Sequence, residues 1–133
     1  MSAASRSPKA TLIVDAANVV GARADGWWKD RAGAAARLHE QLLVADVGYD
    51  VVVLVLEGQA KGGVRAGRDA HVRTVHAPKD GDAAIVAEAK RAVEKSPGTR
   101  VVVVTADRAL DARVHGVGAT TVSPTWLLAE LGR

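Results

Sequence analysis

Thr11-Leu12-Ile13-Val14-Asp15-Ala16-Ala17-Asn18 is the stretch whose reading decides the fold. An apolar run closed by a carboxylate reads as a buried strand, about Ala10 to Val14, that delivers a charge at its C-terminal end. The pattern recurs at Val51-Val52-Val53-Leu54-Val55-Leu56-Glu57 and at Arg100-Val101-Val102-Val103-Val104-Thr105-Ala106-Asp107. Burial alone does not select three hydrophobic strands that each finish in an acid. In an open parallel sheet, ligands bind in the crevice outside the carboxyl ends of the strands. Carboxylates gathered there repel one another unless a cation or shared protons compensate, so the economical expectation is a divalent-metal site.

Working outward, strand and helix patterns alternate, as in a parallel sheet covered on both faces. Asp30 is placed to cap a helix from Arg31 to about Val47, with Ala34, Leu38, Leu42 and Ala45 on one face and Gly48 as its terminator. Val51 to Leu56 is apolar without alternation, which fits a strand buried on both sides. Gly58 to Asp69 reads as a Gly-rich basic loop, and His71 to His76 as a weaker strand nearer an edge. A helix from Asp82 to about Lys95 ends at Ser96-Pro97-Gly98. Val101 to Val104 belongs centrally, beside the first strand. A short helix from Arg108 to about Arg113, a strand near Ala119 to Val122, and a helix from Pro124 through Leu131 complete the order. Residues 1–9 read as a disordered tail and residues 10–133 as one domain.

The 133 residues suffice for one core, and 48% are hydrophobic, which favours a globular domain. Cysteine is absent, excluding disulfides, zinc–thiolate sites and thiol nucleophiles, and fitting a reducing cytoplasm. Met1 to Lys9 lacks the pattern of a signal peptide, and no run approaches the roughly 18 apolar residues of a membrane span. The formal charge is +3, with basic residues in loops and acids at strand ends. An acidic pocket in a basic surround suits a polyanion brought to metal ions.

Three constellations carry the candidate chemistry. Asp15 and Asn18 form D-x-x-N at the first strand end, where the Asp can ligate a hard cation and the Asn can orient it; a simple turn is the alternative. In Lys79-Asp80-Gly81-Asp82, Asp82 either caps the helix or points across the strand ends towards Asp15. In Thr105-Ala106-Asp107, Thr105 offers a hydroxyl to a carboxylate, and Asp107 reaches a metal or caps the short helix. Asp111, a turn later, is either a second-metal ligand or a solvated helix residue. His39, His71, His76 and His115 are scattered, which favours Mg²⁺ or Mn²⁺ over Zn²⁺.

Taken together, Asp15-x-x-Asn18, Asp82-x-x-Ile85 and Thr105-x-Asp107-x-x-Leu110, in this order, resemble the PIN-like nucleases, specifically the NYN branch with its YacP-like proteins. The resemblance spans about residues 10 to 131. It implies an α/β, three-layer, Rossmann-like PIN fold with a central parallel sheet of strand order 3-2-1-4-5. It also implies a cytoplasmic ribonuclease that uses Mg²⁺ or Mn²⁺, with Asp15, Asp82 and Asp107 as catalytic and metal-binding acids and Asn18, Glu57, Thr105 and Asp111 supporting them. Glu57 stands where YacP-like members tend to carry Asp. RNA, single-stranded or structured, is the implied partner, and a homodimer stays open. Lys61, Arg65, Arg68 and Lys79 are expected to contact phosphates. One indole of Trp27-Trp28 is placed to stack on a base, with Trp27 the chosen candidate. Trp126 is expected to pack into the core.

The competing reading is an RNA-binding module of the same fold with weak or no cleavage. Phosphoryl-transfer folds fit poorly: Asp15-Ala16-Ala17-Asn18 is neither D-x-D-x-[TV] nor a glycine-rich dinucleotide turn, and Ala77-Pro78 follows the third strand where a receiver needs Asp.

Overall fold

Repeated branched aliphatic residues cannot be solvated cheaply, and their φ/ψ preferences favour extended backbone, so the Val-rich stretches become strands. In the computed structural model, which describes residues 10–132, these are β1 (Thr11–Asp15), β2 (Val51–Leu56), β3 (Gly67–Asp69), β4 (Val72–His76), β5 (Val101–Val104) and β6 (Thr120–Val122). The expected disordered tail lies outside the described residues. The helices are α1 (Ala16–Gly21), α2 (Arg31–Val44), α3 (Gly81–Lys95), α4 (Arg108–Gly116) and α5 (Pro124–Leu131).

The sheet has six strands in the order β3-β4-β2-β1-β5-β6. All pairings are parallel except β3 with β4. This corrects the expected five-stranded order 3-2-1-4-5. The difference is β3, an antiparallel edge strand within the stretch read as a loop. Its three residues are all exposed, so it has no apolar pattern to betray it. Gly67 (φ 132°) and Ala70 (φ 53°) fold the chain back onto β4.

Because successive side chains alternate across a strand, the sheet builds two cores. Leu12, Val14, Val52, Leu54, Val102 and Val104 pack beneath α1, α2 and α5. Ile13, Val53, Val55, Val101 and Val103 pack beneath α3 and α4. Trp126 packs against the first core, as expected, edge-on to Tyr49 at 6.2 Å between ring centroids.

Local chemistry sets the boundaries. Asp30 caps α2 as anticipated, its Oδ1 accepting from Gly33 N at 2.8 Å. The helix nonetheless stops at Val44 instead of Val47. Val47 is buried in the core, which the chain reaches by leaving the helix and turning at Gly48, whose N–H donates to Asp46. Among the described residues no helix is long and apolar enough to cross a membrane.

Candidate functional site

β1 and β5 lie side by side, so their C-terminal ends bring Asp15 and Thr105 together across 90 residues of sequence. Thr105 Oγ1 donates to Asp15 Oδ2 at 2.8 Å. Asn18 Nδ2 donates to the same oxygen at 2.7 Å, while its own Oδ1 accepts from Ala106 N at 3.4 Å. Asn18 therefore ties the end of β1 to the loop after β5. It does so from α1, a helix not expected from the sequence.

Asp15 stands at the N-cap position of α1 yet makes no side-chain cap. A capping Asp would turn back onto the helix N–H groups; this carboxylate is instead committed to Thr105 and Asn18. It is only 3% exposed. Burial pushes its pKa above the ordinary carboxylate range, and the Glu57 charge adds to this, while hydrogen bonds from Thr105 and Asn18 oppose the rise.

The start of α3 supplies the second acid. The sequence left Asp82 as either cap or site residue; the cap is Asp80, whose carboxylate accepts from Asp82 N at 3.0 Å and Ala83 N at 3.4 Å. The Asp82 side chain is thereby spared. Its pKa is raised by partial burial first, then by the charges of Asp107, Asp15 and Asp80, against a small opposing effect of Arg113. The Asp82 carboxylate thus feels the charges of both Asp107 and Asp15.

Glu57 accepts from Gly81 N at 3.0 Å, fastening the first turn of α3 to the end of β2. Gly81 suits this approach, since a Cβ there would stand 3.3 Å from Glu57 Oε1. Asp107 caps α4 through Leu110 N at 3.0 Å, and its own N–H donates to Thr105 Oγ1 at 3.2 Å. Asp111 is bound elsewhere: its Oδ1 accepts from Thr121 Oγ1 and lies 3.1 Å from His115 Nδ1.

Carboxylate oxygens suit a hard cation. Among the described residues, however, no three His, Cys, Asp or Glu side chains group closely enough to hold a metal ion in common. The donor set therefore fits a hydrated ion held by one or two carboxylates, in the manner of Mg²⁺, and not a preformed cage of three acids.

Beside the acids opens a cleft of ≈ 850 Å³ whose lining includes Trp27, Trp28, Arg31, Glu57, Lys79 and Asp80. Trp27 is half-buried, edge-on to Trp28 at 5.9 Å and capped by the Arg31 guanidinium at 4.9 Å. Both indoles line the cleft, and Trp28, 56% exposed, is the more open to solvent. Sequence reasoning gave Arg31 no role at the site, because its contact with Trp27 depends on how the turn at residues 27–29 meets α2. The basic residues expected to act together are divided. Lys79 lines this cleft, Lys61 and Arg65 do not, and Arg68 lines a different groove. A smaller cleft of ≈ 500 Å³ on the other side of α1 is lined in part by Asn18, Ala106 and Ser123.

This arrangement of strands and helices is also found among solved structures. Rae1 (YacP) from Bacillus subtilis is similar to this chain at a TM-score of 0.70 and 20% identity, over 92% of this chain and 73% of that one. A point mutant of Rae1 (YacP) gives the same TM-score and identity, with 75% of its chain covered. The similarity establishes a shared α/β fold. No protein-family model matches the chain, and no curated protein sequence does.

Proposed function

We propose that this chain is a ribonuclease that hydrolyses RNA phosphodiester bonds with the help of Mg²⁺ or Mn²⁺, in a cytoplasmic setting. One observation carries the reading above the others. A buried, unneutralised carboxylate, Asp15, is held rigidly at a strand end beside two further acids delivered by separate helices. Such a group costs stability when charged, and without a functional use the fold has no reason to keep it. The fold shared with Rae1 (YacP) agrees with this assignment.

One or two of Asp15, Asp82 and Asp107 would hold the cation directly, and the remainder would act through its water molecules. When bound, it supplies Lewis-acid activation of water and neutralises charge building on the phosphate. Thr105 and Asn18 fix the orientation of Asp15 by donating to its Oδ2. Glu57 holds the N-terminus of α3 and thereby positions Asp82. Lys79 and the exposed ring of Trp28 line the adjoining cleft, where a phosphate and an unpaired base find complementary chemistry.

A second reading, an RNA-binding module with weak or no cleavage, is favoured by the lack of a ready three-acid group among the described residues. One experiment separates them: single-stranded and structured RNA are incubated with Mn²⁺ and wild-type, Asp15→Asn or Asp107→Asn protein. The nuclease reading requires cleavage by wild type and its loss, by about 10²-fold or more, in both variants. Cleavage that survives both substitutions sinks the assignment, and binding without turnover in wild type establishes the module.

A further inference from the structure

At the opposite end of the sheet from the acids, a groove of ≈ 520 Å³ runs between α3 and the starts of β1 and β2, and its lining includes Arg68, Arg73, Arg91 and Lys95. Thr11 lies in this lining, four residues before Asp15, so the two ends are about 13 Å apart along the strand. Arg68 on β3 and Arg73 on β4 are direct cross-strand partners. Directly opposed antiparallel residues project on the same face, and like charges so placed destabilise a sheet. Arg91 and Lys95 add two more cations from successive turns of α3.

One acid answers this charge. Glu88, 7% exposed, lines the groove and pairs with Arg73, with Arg91 at 3.9 Å. Asp69 pairs opposite Val72 and so projects to the other side of the sheet, and Glu94 lies outside the lining. Four cations against one acid gather here in a chain whose formal excess is only +3. Arg68, Arg91 and Lys95 are exposed, while Glu88 fixes the Arg73 guanidinium and lies 3.9 Å from Arg91.

We propose that this groove is a second RNA contact, binding the phosphate backbone of substrate beyond the cleft that adjoins the acids. This deepens the ribonuclease reading and rests on RNA being the ligand. Arg73, held by Glu88, and the exposed Arg68, Arg91 and Lys95 line one groove, and the successive phosphates of a strand supply a matching row of negative charge, which is why RNA is preferred over an acidic protein. An RNA strand must span at least about 13 Å to reach from one site to the other.

The test is equilibrium binding of single-stranded RNA of about 20 nucleotides, without divalent metal, across a salt series. Wild type is compared with the triple variant Arg68→Ala/Arg91→Ala/Lys95→Ala and with Arg68→Lys/Arg91→Lys, which keeps the charge. Loss of three phosphate contacts should lower the slope of log K against log salt by about 2 and weaken binding at least about tenfold at low salt. The Lys variant should retain most of the slope. An unchanged slope and affinity in a folded triple variant overturns the proposal, whatever the cleavage result. Displacement of RNA by polyglutamate at equal charge would overturn it in favour of an acidic polypeptide. Absence of RNA binding by wild type overturns it together with the ribonuclease reading. Groove-dependent binding without metal-dependent cleavage upholds the groove and removes only the catalytic claim.

Discussion

Replacing Thr105 by Val tests the linkage at the heart of the site without changing side-chain volume appreciably. The Thr105 hydroxyl does two jobs: it donates to Asp15 Oδ2 at 2.8 Å and accepts from Asp107 N at 3.2 Å. The first is a bond to a charged group, typically contributing about 1.5–3 kcal/mol, and the second a neutral one contributing about 0.5–1.5 kcal/mol. Thr105 is 5% exposed and Asp15 3%, so water cannot readily replace the lost donor. The expected cost at neutral pH is therefore about 2–4 kcal/mol, read as a shift in urea midpoint at constant m. The cost should also depend on pH. Without the hydroxyl, the raised Asp15 pKa rises further, so the variant loses more stability than wild type as pH climbs through that pKa. Below the unfolded carboxylate pKa of 3.8 the additional penalty disappears, because Asp15 is protonated in both states. Thr105→Ser, which retains the hydroxyl, should recover most of the loss. A Val variant less than about 0.5 kcal/mol destabilised, or equally destabilised across the pH range, would refute the coupling.

Two further substitutions or conditions give measurable outcomes, one at the acids and one at the contact of Gly63 with α2. Asp15 and Asp82 both have raised pKa values. Metal-free protein should therefore lose stability as pH rises through those values from 3.8 upward, whereas Mn²⁺ affinity should increase over the same range; thermal melts and calorimetry at successive pH values check both signs. Gly63→Ala should destabilise the protein by about 1–3 kcal/mol or more, because a Cβ there would stand 1.9 Å from Ala32 O. A melt unchanged by that substitution would show that the contact between the Gly58–Gly63 segment and α2 yields easily.

The parts of the fold that the sequence made legible are those in which one physical signal dominates. Unbroken Val and Leu runs announced β1, β2 and β5, and the Pro124 start of α5 was visible in the chain itself. The antiparallel β3 carried no such signal: backbone pairing with β4 forms it, and its three exposed residues have no apolar period. Helix α1 was hidden for a related reason, being six residues long and following an Asp whose carboxylate turns away from it.

Within the candidate site, the acids were legible and their division of labour was not. Asp80 and Asp82 both sit where a helix-capping residue belongs, and propensity alone does not separate residues two apart. The packing of α3 against Glu57 does, because it fixes where the helix begins. By itself the sequence determined that acids stand at the ends of buried strands, since apolar period and charge are local properties. Only the tertiary structure decided that Asp15 and Thr105 share a hydrogen bond, that Trp28 is the more exposed of the two rings, and that Arg68 faces Arg73. Those outcomes depend on which strands become neighbours and in what register, and register is settled by the burial of the whole sheet at once.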